Sequence, residues 1–352
     1  MKRLIKALSL VMAVIMCLTS LSVCAFAAGR KPALPTSYGI TALRNEFRKD
    51  VAPKAGNHAL DYCYYSPVGN RDKTKYPLVI FLHGIGHADH EGAQLADSDM
   101  PYWASSELQS RFTQGGAFIL LPRAPEDKMI YWSNVLLESL RAVIDDMIAK
   151  HGANIDTKRI YIGGSSAGAE MVWNMIVAYP EYFAGAFPIA ATGTVTTNDV
   201  KLCSSVPVWM FACTKDPVVN YASETTPLWN NVIANNKNPA KCRLTTFTSV
   251  VEPGGQSSAG NHFMAKVVTY DMHMLSGATY PNATTINGLG QAVDLSSPNG
   301  IIFWMNTLSS SYNGASAGGT GNTNVTVMNG VLSIFRNLLL KIVNIFQKIF
   351  IL

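Results

Sequence analysis

Gly164-Ser165-Ser166-Ala167-Gly168 is the stretch that decides how the chain is read. A short β-branched run, Arg159-Ile160-Tyr161-Ile162-Gly163, precedes it, and Met171, Val172, Met175, Ile176 and Tyr179 recur after it at helical spacing. Strand, tight turn and helix form the context that gives a G-x-S-x-G match its meaning. A serine hydroxyl is a weak nucleophile until it is exposed, aimed and deprotonated. A sharp turn at a strand end lifts Ser166 above its sheet. The residues two before and two after it must be tiny, because strand and helix nearly touch there. Gly164 and Gly168 fit. A second frame centres Ser165 between Gly163 and Ala167, but the Ala167 methyl crowds it, so Ser166 is preferred. A plain helix start would also use serine, as an N-cap. The rest of the chain has to decide.

Upstream, Tyr76-Pro77-Leu78-Val79-Ile80-Phe81-Leu82 is a continuous apolar run suited to a strand buried on both faces. It ends in His83-Gly84-Ile85-Gly86, and residues 87 to 100 read as a polar loop. Phe118 to Pro122 is a second buried strand, and Ser133 to His151 an amphipathic helix stopped by Gly152. Further strands are expected at Phe183 to Ala190, Val206 to Phe211 and Arg243 to Val251, with a helical patch at Ala222 to Ala234. Gly300 to Met305 reads as a closing helix. Leu60, Tyr62 and Tyr64 alternate before a turn at Pro67-Val68-Gly69-Asn70, which predicts an edge strand and hairpin. Buried strands alternating with amphipathic helices predict an α/β fold: a mainly parallel sheet with helices on both faces. Ligands of such sheets sit at the carboxyl ends of the strands.

Serine hydrolysis needs a nucleophile, a base, an acid that orients the base, and donors for the oxyanion. Asp216, just past the Val206 strand, is the candidate acid; before Pro217 it could also be a turn residue. His262, after the Arg243 strand, is the candidate base. His273 is the alternative base, though it sits in an apolar run beside Met272, Met274 and Leu275. The backbone N–H groups of Ala167 and Ile85 are the candidate oxyanion hole, with Gly84 and Gly86 letting the second loop come close. His83 reads as structural. His87, His90 and Glu91 could be drawn as metal ligands, but a fourth ligand is missing and a solvated loop rim is the simpler reading. Trp103 and Trp132 either line the cleft or pack. No metal or cofactor is expected.

With these residues in place, positions 75 to 220 resemble the secreted esterase branch of the α/β-hydrolases. That group includes poly(3-hydroxybutyrate) depolymerase-like and feruloyl esterase-like enzymes and related predicted peptidases. The resemblance rests on Pro77-Leu78-Val79-Ile80-Phe81-Leu82-His83-Gly84, on Ile155 through Gly168, on Tyr179-Pro180-Glu181-Tyr182-Phe183-Ala184-Gly185 and on Pro207-Val208-Trp209-Met210-Phe211. The order Ser, Asp, His is also that of the α/β-hydrolases. The resemblance implies ester hydrolysis, often of acyl groups on plant polysaccharides, without a cofactor, and a triad of Ser166, Asp216 and a late histidine. Two departures stand out. The usual Gly-His is Asn261-His262 here, and the stretch from Met264 to Asn299 is long. A serine peptidase on the same fold, and a surface binding protein that has lost activity, are the alternatives.

The 352 residues are 48% apolar and 14% charged, enough for a large core. The formal charge of +5 comes from Lys2, Arg3 and Lys6 near the start and Arg336, Lys341 and Lys348 near the end. The chain between is nearly neutral, which excludes a basic nucleic-acid surface. Residues 1 to 27 read as a secretory signal, with a charged start, an apolar run from Ala7 to Val23 and Ala25-Phe26-Ala27 as cleavage site. A membrane anchor, or lipidation at Cys24, is the alternative. An extracytoplasmic location follows. Cys63, Cys203, Cys213 and Cys242 remain after it, and Cys203 and Cys242 could be bridged. The catalytic domain is read as residues 28–308, followed by a flexible Ser/Gly/Asn/Thr linker at 309–330. In residues 331–352, Ser333, Asn337, Lys341, Asn344 and Lys348 form one polar stripe on an otherwise apolar helix. That pattern fits contact with an anionic membrane surface or a partner, or a last core helix.

Overall fold

The computed structural model describes residues 37–56, 58–69, 73–127, 131–191, 195–250, 261–269, 282–295 and 300–312. The expected signal segment, residues 331–352 and nearly all of the expected linker lie outside them, as does His273.

Nine strands form one sheet in the order β1-β2-β4-β3-β5-β6-β7-β8-β9. They are β1 (Arg48–Val51), β2 (Asp61–Tyr65), β3 (Tyr76–Leu82), β4 (Phe118–Pro122), β5 (Ile155–Ser165), β6 (Gly185–Ile189), β7 (Trp209–Cys213), β8 (Arg243–Phe247) and β9 (Ala283–Asn287). The strands from β4 across to β8 run parallel, while β1, β2 and β9 are antiparallel additions at the two edges. The described α-helices of five or more residues are α1 (Ser37–Arg44), α2 (Leu137–His151), α3 (Ala167–Ala178), α4 (Thr197–Leu202), α5 (Thr226–Asn235), α6 (Ala265–Thr269) and α7 (Ile301–Asn306). Among the described residues no helix is long and apolar enough to cross a membrane.

Every residue of β3, β4, β6 and β7 is buried, as a strand covered on both faces requires. Alternate side chains of β3 and β5 (Leu78, Ile80, Leu82, Ile160, Ile162) share a core with Leu140, Val143 and Ile144 of α2 and Met171, Val172 and Met175 of α3. On the other face the Tyr161 hydroxyl donates to the carbonyls of Met305 and Leu308 (2.6 and 3.1 Å), and Trp209 meets Trp304 edge to face. Gly163 is bare because its neighbour fills the space: a Cβ there would lie 2.0 Å from the Phe187 ring. Phe187 in turn stacks on Trp103, with planes 4° apart.

Several expectations are corrected. β2 is no edge strand and forms no hairpin with β3, because β4 lies between them and β1 lies outside. Part of the polar loop coils into a 3-10 segment, Ala93–Ala104, that carries Trp103. The strand expected from Val206 starts three residues later, at Trp209. Pro207 has no N–H for the ladder. The bridge that Cys203 and Cys242 could have formed is absent, and all four described cysteines are buried free thiols. Burial pushes Cys63 and Cys203 up to about 12 and Cys242 up to about 11. A raised thiol is almost wholly protonated at pH 8 and a poor nucleophile. Iodoacetamide at pH 8 is therefore expected to spare all four cysteines in the native protein and to modify all four after unfolding without reductant. Protection of Cys203 and Cys242 that only reductant removes would mean that they pair.

Among the described glycines, the closest approach to another stretch of backbone lies at the turn after β5. A Cβ on residue 168 would sit 2.1 Å from the Leu82 carbonyl oxygen, and one on residue 164 would sit 2.8 Å from the Gly168 backbone. Gly168→Ala is expected to cost about 3 kcal/mol by overpacking and to lower the thermal midpoint by roughly 6–12 °C. Gly69→Ala, where nothing lies within 4 Å of the new carbon, should leave the midpoint unchanged in the same melting experiment.

Candidate active site

Ser166 stands between the end of β5 and the first residue of α3, with φ 52° and ψ −116°. A non-glycine residue is rarely held there, at a cost on the order of 1–3 kcal/mol. Its amide donates to the Ile189 carbonyl at 2.9 Å, which ties the turn to the end of β6. The strain belongs to Ser166, whereas Ser165 is the last residue of the strand. The backbone thus separates the two serine frames.

Asp216 follows β7. Its Oδ1 accepts from the amides of Val218 and Val219 at 2.8 and 3.0 Å, so the turn expected before Pro217 exists and fixes the carboxylate. The Nδ1 of His262 lies 2.9 and 3.1 Å from the two Asp216 oxygens. Its Nε2 lies 2.9 Å from Ser166 Oγ. The side chains of His262 and Asp216 are only 5% and 2% exposed. With Nδ1–H directed to the carboxylate, Nε2 presents its lone pair to the serine. Such an arrangement can take the serine proton, and the carboxylate holds the ring in the tautomer that does so.

Asn261, which stands where the resemblance expects glycine, has no role legible from its residue type alone. Its side-chain oxygen accepts from the Val250 amide at 3.0 Å, and its nitrogen donates to the Lys215 carbonyl at 3.4 Å. Asn261 therefore joins the exit of β8 to the loop of Asp216, one residue from the histidine. The departure from Gly-His was the available signal.

Ile85 follows β3 in the loop facing the serine turn. A Cβ on the preceding Gly84 would lie 3.8 Å from Ser166 Cβ. Ala167 opens α3. Phe263 (64% exposed) lies edge-on to the His262 ring at 5.7 Å, and Ile85, the residue after Gly84, is a large apolar side chain 45% exposed. His90 pairs with Asp89 and Glu91 with Lys49. Among the described residues no three His, Cys, Asp or Glu side chains are grouped to hold a metal ion.

Neither tryptophan lines an open cleft. Trp132 is buried and donates to the His83 carbonyl at 2.8 Å. Trp103 is buried, and its indole N–H donates to the Thr269 carbonyl at the end of α6, the helix that begins three residues after His262. The series Gly163, Phe187, Trp103, Thr269 links β5 to α6, the helix that follows His262.

A family model described as phospholipase/carboxylesterase matches residues 65–269, more than half of the chain. This chain belongs to that family, within the α/β-hydrolase superfamily. The crystal structure of a thermostable esterase is similar at a TM-score of 0.55 and 26% identity, over 66% of this chain and 62% of that one. The poly(3-hydroxyalkanoate) depolymerase C of Paucimonas lemoignei is 48% identical over 52 residues, 15% of this chain and 12% of the depolymerase. An acylaminoacyl peptidase in complex with Z-Gly-Gly-Phe-chloromethyl ketone has a TM-score of 0.46 at 13% identity, over 68% of this chain and 43% of that one. The chain spans less than two thirds of the length of each of these relatives.

Trp103→Phe keeps the ring stacked on Phe187 and removes the N–H. It is expected to cost about 1 kcal/mol of stability and to slow fluorophosphonate labelling of Ser166 several-fold, read by mass spectrometry. Labelling at the wild-type rate would show that the α6 tie does not reach His262.

Proposed function

We propose that this protein is an exported serine hydrolase that cleaves carboxylic esters through an acyl-enzyme. The observation that carries the reading is the 2.9 Å contact between His262 Nε2 and Ser166 Oγ, with Asp216 on the opposite ring nitrogen. Family membership and the similarity to a thermostable esterase support the ester class.

In this reading Ser166 Oγ attacks the ester carbonyl carbon as its proton passes to His262 Nε2. The negative charge that develops on the carbonyl oxygen is met by the amides of Ile85 and Ala167. The C–O bond to the alcohol then breaks, and the imidazolium returns its proton to the departing oxygen. The acyl group remains on Ser166. A water molecule, deprotonated by the same nitrogen, repeats the attack and releases the carboxylic acid. Asp216 stays ionised throughout and stabilises the imidazolium. The exposed apolar surfaces of Ile85 and Phe263 favour esters with an apolar acyl or aryl part next to the scissile bond. Feruloyl and acetyl esters of plant polysaccharides are the substrates to test first. Export is carried by the signal pattern in residues 1–27.

The test is the rate of p-nitrophenyl acetate hydrolysis by wild type and four variants. Ser166→Ala, His262→Ala and Asp216→Asn should each lose about a thousandfold or more in kcat, as members of one catalytic unit do. That loss corresponds to about 4 kcal/mol of transition-state stabilisation. Ser165→Ala should keep most of the activity. Near-normal turnover by His262→Ala would move the base to His273. A folded wild type with neither turnover nor fluorophosphonate labelling would overturn the reading in favour of a binding protein. A short peptide amide cleaved as fast as the ester would replace the ester class with a peptidase.

A further inference from the structure

Two consecutive aromatic side chains hold two consecutive carbonyls of the loop after β3. The Trp132 indole donates to the His83 carbonyl at 2.8 Å, and the Tyr131 hydroxyl donates to the Gly84 carbonyl at 2.6 Å. The buried His83 ring works in the same place. Its Nε2 accepts from the Ala124 amide at 3.1 Å, which puts the ring proton on Nδ1. That Nδ1 lies 2.8 Å from the Gly84 carbonyl and 3.2 Å from the Tyr131 hydroxyl. The Gly84 carbonyl therefore accepts from His83 and Tyr131 together. The rings enclose one another: His83 meets Tyr131 at 89° and 5.8 Å, and Trp132 at 5.1 Å. Tyr131 keeps its place at φ 22°, in a region that side-chain-bearing residues seldom occupy.

The peptide joining Gly84 to Ile85 is trans, as the described chain has no cis bonds. In a trans peptide the C=O and N–H point in opposite directions. Holding the Gly84 oxygen in the interior turns the Ile85 N–H to the opposite side of the loop. Gly84 packs on the serine turn, where a Cβ would sit 3.2 Å from Ser165 Oγ. Glycines at 84 and 86, the latter at φ 103°, otherwise leave this peptide free to rotate.

We propose that Tyr131 is a positioning residue whose hydroxyl fixes the 84–85 peptide plane and so aims the Ile85 amide at the oxyanion. The proposal rests on the ester-hydrolase reading above and on Ile85 as an oxyanion donor. Tyr131→Phe in the full chain keeps the ring and removes only the hydroxyl. It should lower kcat for p-nitrophenyl acetate about 10- to 100-fold and leave KM within about twofold, somewhat less than outright loss of an oxyanion donor costs. A phenyl trifluoromethyl ketone, whose serine adduct carries an oxyanion, should bind more weakly by the same factor. The acid limb of the pH profile should stay in place, since His262 and Asp216 are untouched. 4-Aminophenylalanine at position 131 restores a donor and should recover most of the lost rate. The ketone affinity is measured on the folded fraction, so a change in stability does not mimic the effect. Wild-type activity abolished by Ser166→Ala, together with unchanged kcat and ketone affinity in Tyr131→Phe, would overturn the role of Tyr131 and leave the ester-hydrolase reading standing. No turnover by folded wild type would overturn both.

Discussion

The geometry of this protein depends on a place where two backbones touch. The Leu82 carbonyl at the end of β3 occupies the space that a side chain on residue 168 would need, and residue 164 meets the same helix start. Only glycine permits this at either position. The contact has two consequences. It forces the residue between them, Ser166, into a backbone conformation that lifts its side chain off the sheet. It also brings the loop after β3 against the serine turn, so that Gly84, the residue before Ile85, packs on Ser165 and Ser166. One steric condition therefore bears on both the candidate nucleophile and a candidate oxyanion donor.

The remaining groups arrive from other strands and need their own supports. Asp216 is fixed by a turn that uses its own side chain. His262 is held from several sides: the carboxylate grips the ring, Asn261 ties the neighbouring backbone to β8 and to the acid loop, and Trp103 reaches the end of α6. Apart from the exposed bond from Asn261 to Lys215, these supports are buried or partly buried hydrogen bonds, where an unmade partner costs on the order of 1–3 kcal/mol. Such costs make the arrangement close to all or none, as a site that must hold atoms to a few tenths of an ångström requires.

The parallel centre of the fold was legible because burial on both faces writes itself into the sequence as unbroken apolar runs. Tyr76 to Leu82 and Phe118 to Pro122 are read directly. The edges were not. β1 is Arg48-Lys49-Asp50-Val51, mostly exposed, with no apolar pattern to read. β9 has only its middle residue buried and lies in a stretch that reads as irregular. Missing β1 made β2 look like an edge. The order of the strands is likewise not local information: nothing in residues 61–82 says that a strand 40 residues later will pass between β2 and β3. At the site, Ser166, Asp216 and His262 carry chemistry in their residue types and sit after strands, so their grouping was open to inference. Trp103 reads as a cleft or packing residue because its partner, Thr269, is 166 residues away. Tyr131 was passed over for the same reason, since its acceptor lies 47 residues earlier.

Asn261 shows how a departure from a family pattern can be compensated. A glycine before the histidine would let the chain turn freely but would supply no side-chain bond. Asparagine gives up some of that freedom and gains an acceptor and a donor on one short, stiff side chain. Here the acceptor meets Val250 and the donor meets Lys215, one residue before the acid. The loops that carry His262 and Asp216 are thereby joined through one amide group. The direct bond between His262 and Asp216 is thus backed by a side chain that joins their two loops. Replacing Asn261 by glycine to match the family would remove the link between the two loops, even though it would make the local sequence look more typical.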